Sequence, residues 1–228
     1  MKILSVIPAR GGSKGLPRKN IVDLLGKPLM AWSIEASLRS KYITKTVVSS
    51  EDDEILEIAK EFGAETLKRD AKLASDEAKT EPVILDVVKK LDETFDYIVL
   101  LQATSPLRTA KHIDEAFEQM FQNNAKALIS VYEPDHSPLK AFVTDENNCL
   151  KGIVNDEYPF FPRQLLPKTY YPNGAIYIVD TKMFLAHERL FIEGQTSFYL
   201  MDKKMSKDID TFSDLEEITN DFQSERKN

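Results

Sequence analysis

The chain has 228 residues, 42% of them hydrophobic and 29% charged, with a net charge of −7, an ordinary composition for one large globular domain burying roughly 70% of its unfolded surface. The acidic balance argues against broad nucleic-acid binding, no apolar run approaches the ~20 residues of a membrane span, and the single cysteine, Cys149, excludes an internal disulfide. The N-terminus enters an apolar run without a signal-peptide pattern, so a cytoplasmic setting is expected.

Ile3 to Ile7 reads as a buried strand. The loop after it, Arg10 to Asn20, holds three glycines (Gly11, Gly12, Gly15) and four cations (Arg10, Lys14, Arg18, Lys19). Glycines let backbone N–H groups come close to a ligand, and fixed cations suit a polyphosphate. Taken alone, the run is also what a solvated basic turn looks like. It is neither a Walker A loop nor a dinucleotide G-x-G-x-x-G.

Pro28 to Arg39 is predicted as a helix and Ile43 to Ser49 as a strand. Ser50 or Asp52 suits the cap of a helix reaching Phe62, with Gly63 at its stop. Ala64–Leu67 (strand), Glu81–Leu91 (helix), Tyr97–Leu101 (strand), Lys111–Phe121 (helix) and Ala127–Val131 (strand) continue the alternation. That order predicts an α/β fold with a parallel, Rossmann-like sheet whose ligands bind beyond the carboxyl ends of the strands. The first loop, Ser49-Ser50 and the stretch Gln102 to Arg108 all fall at such ends.

The alternation breaks at residues 132–172, which carry six prolines and a hairpin signal, Asp145 to Asn148, between Lys140–Thr144 and Cys149–Val154. This segment reads as an arm inserted into a single 1–228 domain. Its apolar residues, among them Phe142, Ile153, Phe160 and Leu165, predict burial against a second copy or back against the same domain. Gly174–Val179 and Ser197–Met201 read as further strands, Thr211 to Asp214 as a capping box, and Ser224–Asn228 as an unstructured tail. The three histidines are scattered and read as surface residues.

Asp208 and Asp210, two apart in an extended segment, place two carboxylates on one face, a set that suits Mg2+ held jointly with phosphates. By itself the segment is equally an acidic turn before a helix. Gln102, Thr104 and Arg108 offer an amide, a hydroxyl and a guanidinium for a polar, hydroxyl-rich ligand such as a sugar, or cap a helix.

Arg10 to Asn20, Leu101 to Arg108, Pro162-Arg163-Gln164, Pro172 to Tyr177 and Asp208 to Thr211 together resemble the cytidylyltransferases that activate sialic acids, in the same order along nearly the whole chain. The resemblance extends to relatives acting on legionaminic or pseudaminic acid. It implies a fold of the nucleotide-diphospho-sugar transferase type with a small dimerisation arm. It implies that CTP and a nonulosonic acid give the CMP-sugar and pyrophosphate, with Mg2+ at Asp208 and Asp210. Arg10, Lys14 and Lys19 would hold the triphosphate, Asn20 the nucleotide, and Arg69 and Thr80 the cytidine end. Gln102, Thr104, Arg108, Asn173 and Tyr177 would line the sugar side, and Lys140 and Arg163 would reach the partner's site in a homodimer. The competing reading is a CTP-binding regulatory protein without turnover.

Overall fold

The computed structural model describes residues 1–75 and 77–225. In chain order the strands and helices are β1 (Ile3–Pro8), β2 (Asp23–Leu24), β3 (Lys27–Pro28), α1 (Leu29–Leu38), β4 (Lys45–Ser50), α2 (Asp53–Glu61), β5 (Glu65–Lys68) and α3 (Thr80–Lys90). Then follow β6 (Tyr97–Leu100), α4 (Ala110–Gln122), β7 (Ala127–Tyr132), β8 (Phe142–Thr144), β9 (Leu150–Gly152), β10 (Tyr171–Asp180), α5 (Thr181–His187), β11 (Thr196–Leu200) and α6 (Phe212–Glu225).

Local chemistry explains the boundaries. The Asp52 carboxylate accepts the N–H of Ile55 and starts α2, and Gly63, at φ 89°, follows its end. Thr109 and His112 form a reciprocal capping box on α4, so His112 is a half-buried cap rather than the surface residue expected. Thr211 and Asp214 cap α6 in the same way, as the sequence predicts. Leu25 (φ 57°) and Gly26 (φ 89°) turn the small β2–β3 hairpin, which the sequence reading missed. The expected tail begins inside α6, which runs through Glu225; residues 226–228 lie outside the described residues.

The seven-stranded sheet has the order β11-β7-β10-β6-β1-β4-β5. Every neighbouring pair is parallel except those made by β10, which runs antiparallel to both β6 and β7. The expectation of a mainly parallel sheet holds, with β10 as the exception. β7 ends at the carboxyl edge of the sheet, the arm starts and finishes at that edge, and so the chain re-enters running backwards without a crossover helix. One face is packed by α1, α2 and α4 through Met30, Ile34, Ile55, Ile113 and Phe117. The other is covered by α3 and α5 through Ile84, Val87 and Phe184. A third cluster joins Leu16, Leu24, Leu29 and Leu107 to Ile209, Leu215 and Ile218, fastening α6 beneath the first loop.

The arm has a sheet of its own, the β8–β9 hairpin, shorter than expected because Lys140 lies in a 3-10 turn. Phe142, Leu150, Ile153, Phe160 and Leu165 are exposed there. Among the described residues no helix is long and apolar enough to cross a membrane.

Candidate active site

The first loop is shaped by acids at the end of β4. The Gly11 N–H donates to Glu51 Oε1 at 2.7 Å, and a Cβ at Gly11 would lie 2.4 Å from Asp52 Oδ2. Farther on, Gly15 packs on the main chain of the acidic segment: a Cβ there would lie 2.5 Å from the Asp210 carbonyl oxygen. Arg18 is drawn back to pair with Asp52 and Glu54, and its bond to Asp52 above all raises its pKa. At the surface it is therefore engaged by the protein's own carboxylates, Asp52 and Glu54. Arg10, Ser13, Lys19 and the buried Asn20 line a cleft of about 390 Å3, while Lys14 stands exposed beside it. Asn20 Nδ2 donates to the Arg10 carbonyl at 2.8 Å and holds the loop's two ends together.

The opposite wall carries Arg69, Thr80, Gln102 and Thr104, all of which line the same cleft. Arg69 is buried and donates to the carbonyls of Ser49 (3.0 Å) and Ala9 (3.4 Å) and to Glu51 Oε2 (3.1 Å). Burial pulls its pKa down, and Glu51 opposes that shift. Glu51 thus links Arg69 to the first loop, a role that sequence reasoning did not assign to it. Lys79 and Ser75, also unassigned, complete this wall. Their stretch lacks any motif by which the sequence could have exposed them.

Asp208 and Asp210 form the floor. The N–H of Ile209 donates to the Thr104 carbonyl at 3.0 Å, and the Ile209 side chain is buried beneath. The alternation of an extended segment then turns both carboxylates toward the cleft. Lys19 Nζ lies 2.6 Å from Asp210 Oδ1. Asp208 Oδ1 is buried without a hydrogen-bond partner. Burial is the largest cause of the raised Asp208 pKa and the charge of Asp210 adds to it, whereas Thr104 and Lys19 act the other way. An orphaned carboxylate oxygen beside a second carboxylate fits a hard divalent cation that takes its remaining ligands from phosphates. No set of three or more His, Cys, Asp or Glu that could hold a metal occurs among the described residues, so the protein's share would be these two groups.

Three expected sugar-side residues stand elsewhere or are already occupied. Arg108 is 1% exposed and bonds the carbonyls of Gln102 and Ala175; it borders a separate cavity of about 620 Å3 between α1 and α6, with Trp32 and Phe222, and is absent from the cleft wall. That larger cavity shares no lining residue with the cleft and contains neither the acidic pair nor the loop. Asn173 is buried, donating to Ser206 Oγ and accepting from Ser130 Oγ and the Ala175 N–H. Tyr177 is half-buried behind the acidic pair, its pKa raised by burial and then by Asp208 and Glu81. Lys140 and Arg163 lie in the arm, where Arg163 pairs with Glu133, and neither lines the cleft of its own chain.

A cytidylyltransferase family profile matches residues 4–225. The chain belongs to the cytidylyltransferase family. It is 37% identical over 221 residues to the pseudaminic acid cytidylyltransferase of Campylobacter jejuni subsp. jejuni serotype O:2, a match covering 95% of this chain and 94% of that one. It is 36% identical over 218 residues to the N-acylneuraminate cytidylyltransferase of Streptococcus agalactiae serotype V, covering 94% of this chain and 52% of that protein. The fold is shared with a CMP:2-keto-3-deoxy-manno-octonic acid synthetase solved with CTP, at a TM-score of 0.73 and 17% identity, covering 99% of this chain and 100% of that one. In this cytidylyltransferase the cleft sits where the fold class puts ligands, beyond the carboxyl ends of β1, β5 and β6.

Proposed function

We propose that this cytidylyltransferase joins CTP to a nonulosonic acid of the sialic type, giving the CMP-sugar and pyrophosphate. The observation that carries the reading is the meeting of Arg10 and Lys19 with Asp208 and Asp210 in one cleft, beside the hydroxyls and amide of Thr80, Thr104 and Gln102. The relatives named for pseudaminic and N-acylneuraminic acid support the acceptor class.

In this reading Arg10, Lys14 and Lys19 hold the triphosphate, with Asn20 at the nucleotide and Arg69 and Thr80 toward the cytidine end. Gln102 and Thr104 orient the acceptor. The acceptor's anomeric oxygen forms a bond to the α-phosphorus, the bond from that phosphorus to the bridging oxygen breaks, and pyrophosphate leaves with the electron pair. The hydroxyl proton is released to solvent. The chain's contribution is alignment of the two substrates and fixed positive charge against the departing phosphates. Mg2+, when bound by Asp208 and Asp210, supplies Lewis-acid polarisation of phosphate oxygens.

The arm, 132–172, is proposed as a dimerisation element. Its exposed Phe142, Leu150, Ile153, Phe160 and Leu165 are buried against a second copy, and Lys140 and Arg163 approach the neighbour's acceptor.

Pyrophosphate release measured with CTP, UTP and ATP against pseudaminic, legionaminic and N-acetylneuraminic acids, with Mg2+ and with a chelator, tests the reading. CTP-dependent release with at least one acceptor, abolished by the chelator, is expected. CTP binding without release for any acceptor would instead support a regulatory protein.

A further inference from the structure

We infer that Arg108 is a positioning residue, whose guanidinium replaces a rung between β6 and β10 and thereby sets where Gln102 meets the acceptor. The inference rests on the proposed reading of Gln102 as an acceptor contact. β10 pairs with β6 from Asp180 opposite Tyr97 to Tyr177 opposite Leu100. Continued in the same register, past Ile176 opposite Leu101, the strands would set Ala175 opposite Gln102. Neither is paired there. Arg108 Nη1 instead donates to the Gln102 carbonyl at 3.2 Å and to the Ala175 carbonyl at 3.0 Å. Two acceptors that cannot bond one another are joined by a shared donor.

The cleft side of this junction is built to match. Gly174 has φ 74°, and a Cβ there would lie 2.3 Å from Gln102 Oε1, so the Gln102 amide rests directly on the glycine. Ser33 Oγ donates to the same Gln102 carbonyl at 3.1 Å, tying it to α1. Gln102 is therefore gripped through its main chain from two elements while its side chain lies on a third and faces the cleft.

Stability alone does not account for Arg108. It is 1% exposed, forms no ion pair among the described residues, and its Nε and Nη2 have no hydrogen-bond partner. Burial alone pulls its pKa down to about 9. An aliphatic side chain would fill the same space without desolvating a charge. What it could not do is bring two main-chain carbonyls to one nitrogen.

The test compares Arg108→Met, Arg108→Lys, Gln102→Ala and the Arg108→Met/Gln102→Ala pair in pyrophosphate release. Arg108→Met is expected to raise the acceptor KM at least tenfold and to leave the CTP KM within twofold. Arg108→Lys should recover part of that loss, and the double variant should be no more than twofold worse than Gln102→Ala. Equal changes in both KM values, an unchanged acceptor KM, or additive losses in the double variant would overturn the inference. If Arg108→Met does not fold, Arg108→Lys carries the KM comparison. Hydrogen exchange, which needs no turnover, gives a second arm: Arg108→Lys should quicken exchange in peptides spanning 99–104 and 171–177 and leave β1 and β4 unchanged. Unaltered exchange in both peptides would overturn the inference even in a protein without activity. A wild-type chain that releases no pyrophosphate would defeat the proposed reaction and leave the exchange result to decide whether Arg108 holds the strand ends.

Discussion

Lys19 Nζ lies 2.6 Å from Asp210 Oδ1, across 191 positions of sequence. The pair closes the cleft between the first loop and the acidic floor. Asp210 is 68% exposed, so the pair contributes little to stability, about 0–1 kcal/mol. In the proposed reaction the pair would hold a cation and a carboxylate at one place before substrate arrives. Lys19→Ala should weaken CTP binding by about 1.5–3 kcal/mol and leave the melting temperature nearly unchanged. Titration calorimetry checks this, and wild-type CTP affinity in the variant would refute the phosphate role.

Asp208 predicts a split between stability and turnover. Its carboxyl is raised above the ordinary range chiefly by burial. A carboxyl raised on folding holds its proton more tightly in the native state. It therefore weakens stability as pH climbs from the unfolded value, about 3.9, through the raised one, and the penalty is complete above both. Asp208→Asn should melt at or above the wild-type temperature at pH 7, with the difference shrinking as pH falls toward about 4. Turnover should fall roughly a hundredfold or more. A variant that is both less stable at pH 7 and fully active would contradict both halves.

Gly15 and Gly12 make a matched pair. A Cβ at Gly15 meets the Asp210 carbonyl, whereas one at Gly12 meets nothing within 4 Å. Gly15→Ala must push two main-chain segments apart, at a cost of about 1–3 kcal/mol. In a chain of this size that lowers the melting temperature by about 2–4 °C per kcal/mol. Gly12→Ala should be nearly silent. Scanning calorimetry and pyrophosphate release on the two variants check the contrast.

The arm predicts complementation. Asp208→Ala and Arg163→Ala chains, each inactive alone, should recover part of the activity when mixed, because one hybrid cleft then has both groups. Phe160→Asp, at a side chain 78% exposed, should leave the chain folded but shift it toward monomer in light scattering. A wild-type chain that is monomeric at micromolar concentration would count against the shared cleft.

Much of this architecture is written in local pattern. β1, β6 and β7 are short apolar runs, β4 is centred on Val47 and Val48, and Asp52, Gly63 and Thr211 mark helix ends, the acid and the hydroxyl by capping and the glycine by its positive φ. Arg10, Lys19, Asp208 and Asp210 fall at loop positions that the parallel sheet brings together. What escaped notice depends on distant partners. The direction of β10 follows from where the arm delivers the chain, which no pattern within Tyr171–Asp180 encodes. Arg18 reads as one more loop cation until Asp52 and Glu54 are seen beside it. Arg108 reads as a ligand contact because guanidinium groups usually bind anions, yet here its acceptors are two carbonyls, one of them 67 positions away. Glu51 carries no signal of its own, and its importance appears only when Gly11 and Arg69 converge on it.

The floor of the cleft also has a place in time. Asp208 and Asp210 follow the last strand of the sheet, and the cluster that seats them joins Ile209, Leu215 and Ile218 to Leu16, Leu24 and Leu29. A chain emerging from the ribosome at ~5–20 residues per second can complete every strand while the underside of its first loop stays uncovered. Until α6 arrives, those leucines are exposed to chaperones and to neighbouring chains, and Arg10 and Lys19 have neither Asp208 nor Asp210 beside them. The candidate site is thereby assembled only after every strand of the sheet has been made, so that a chain cut after β11 would carry the sheet but lack the acidic pair.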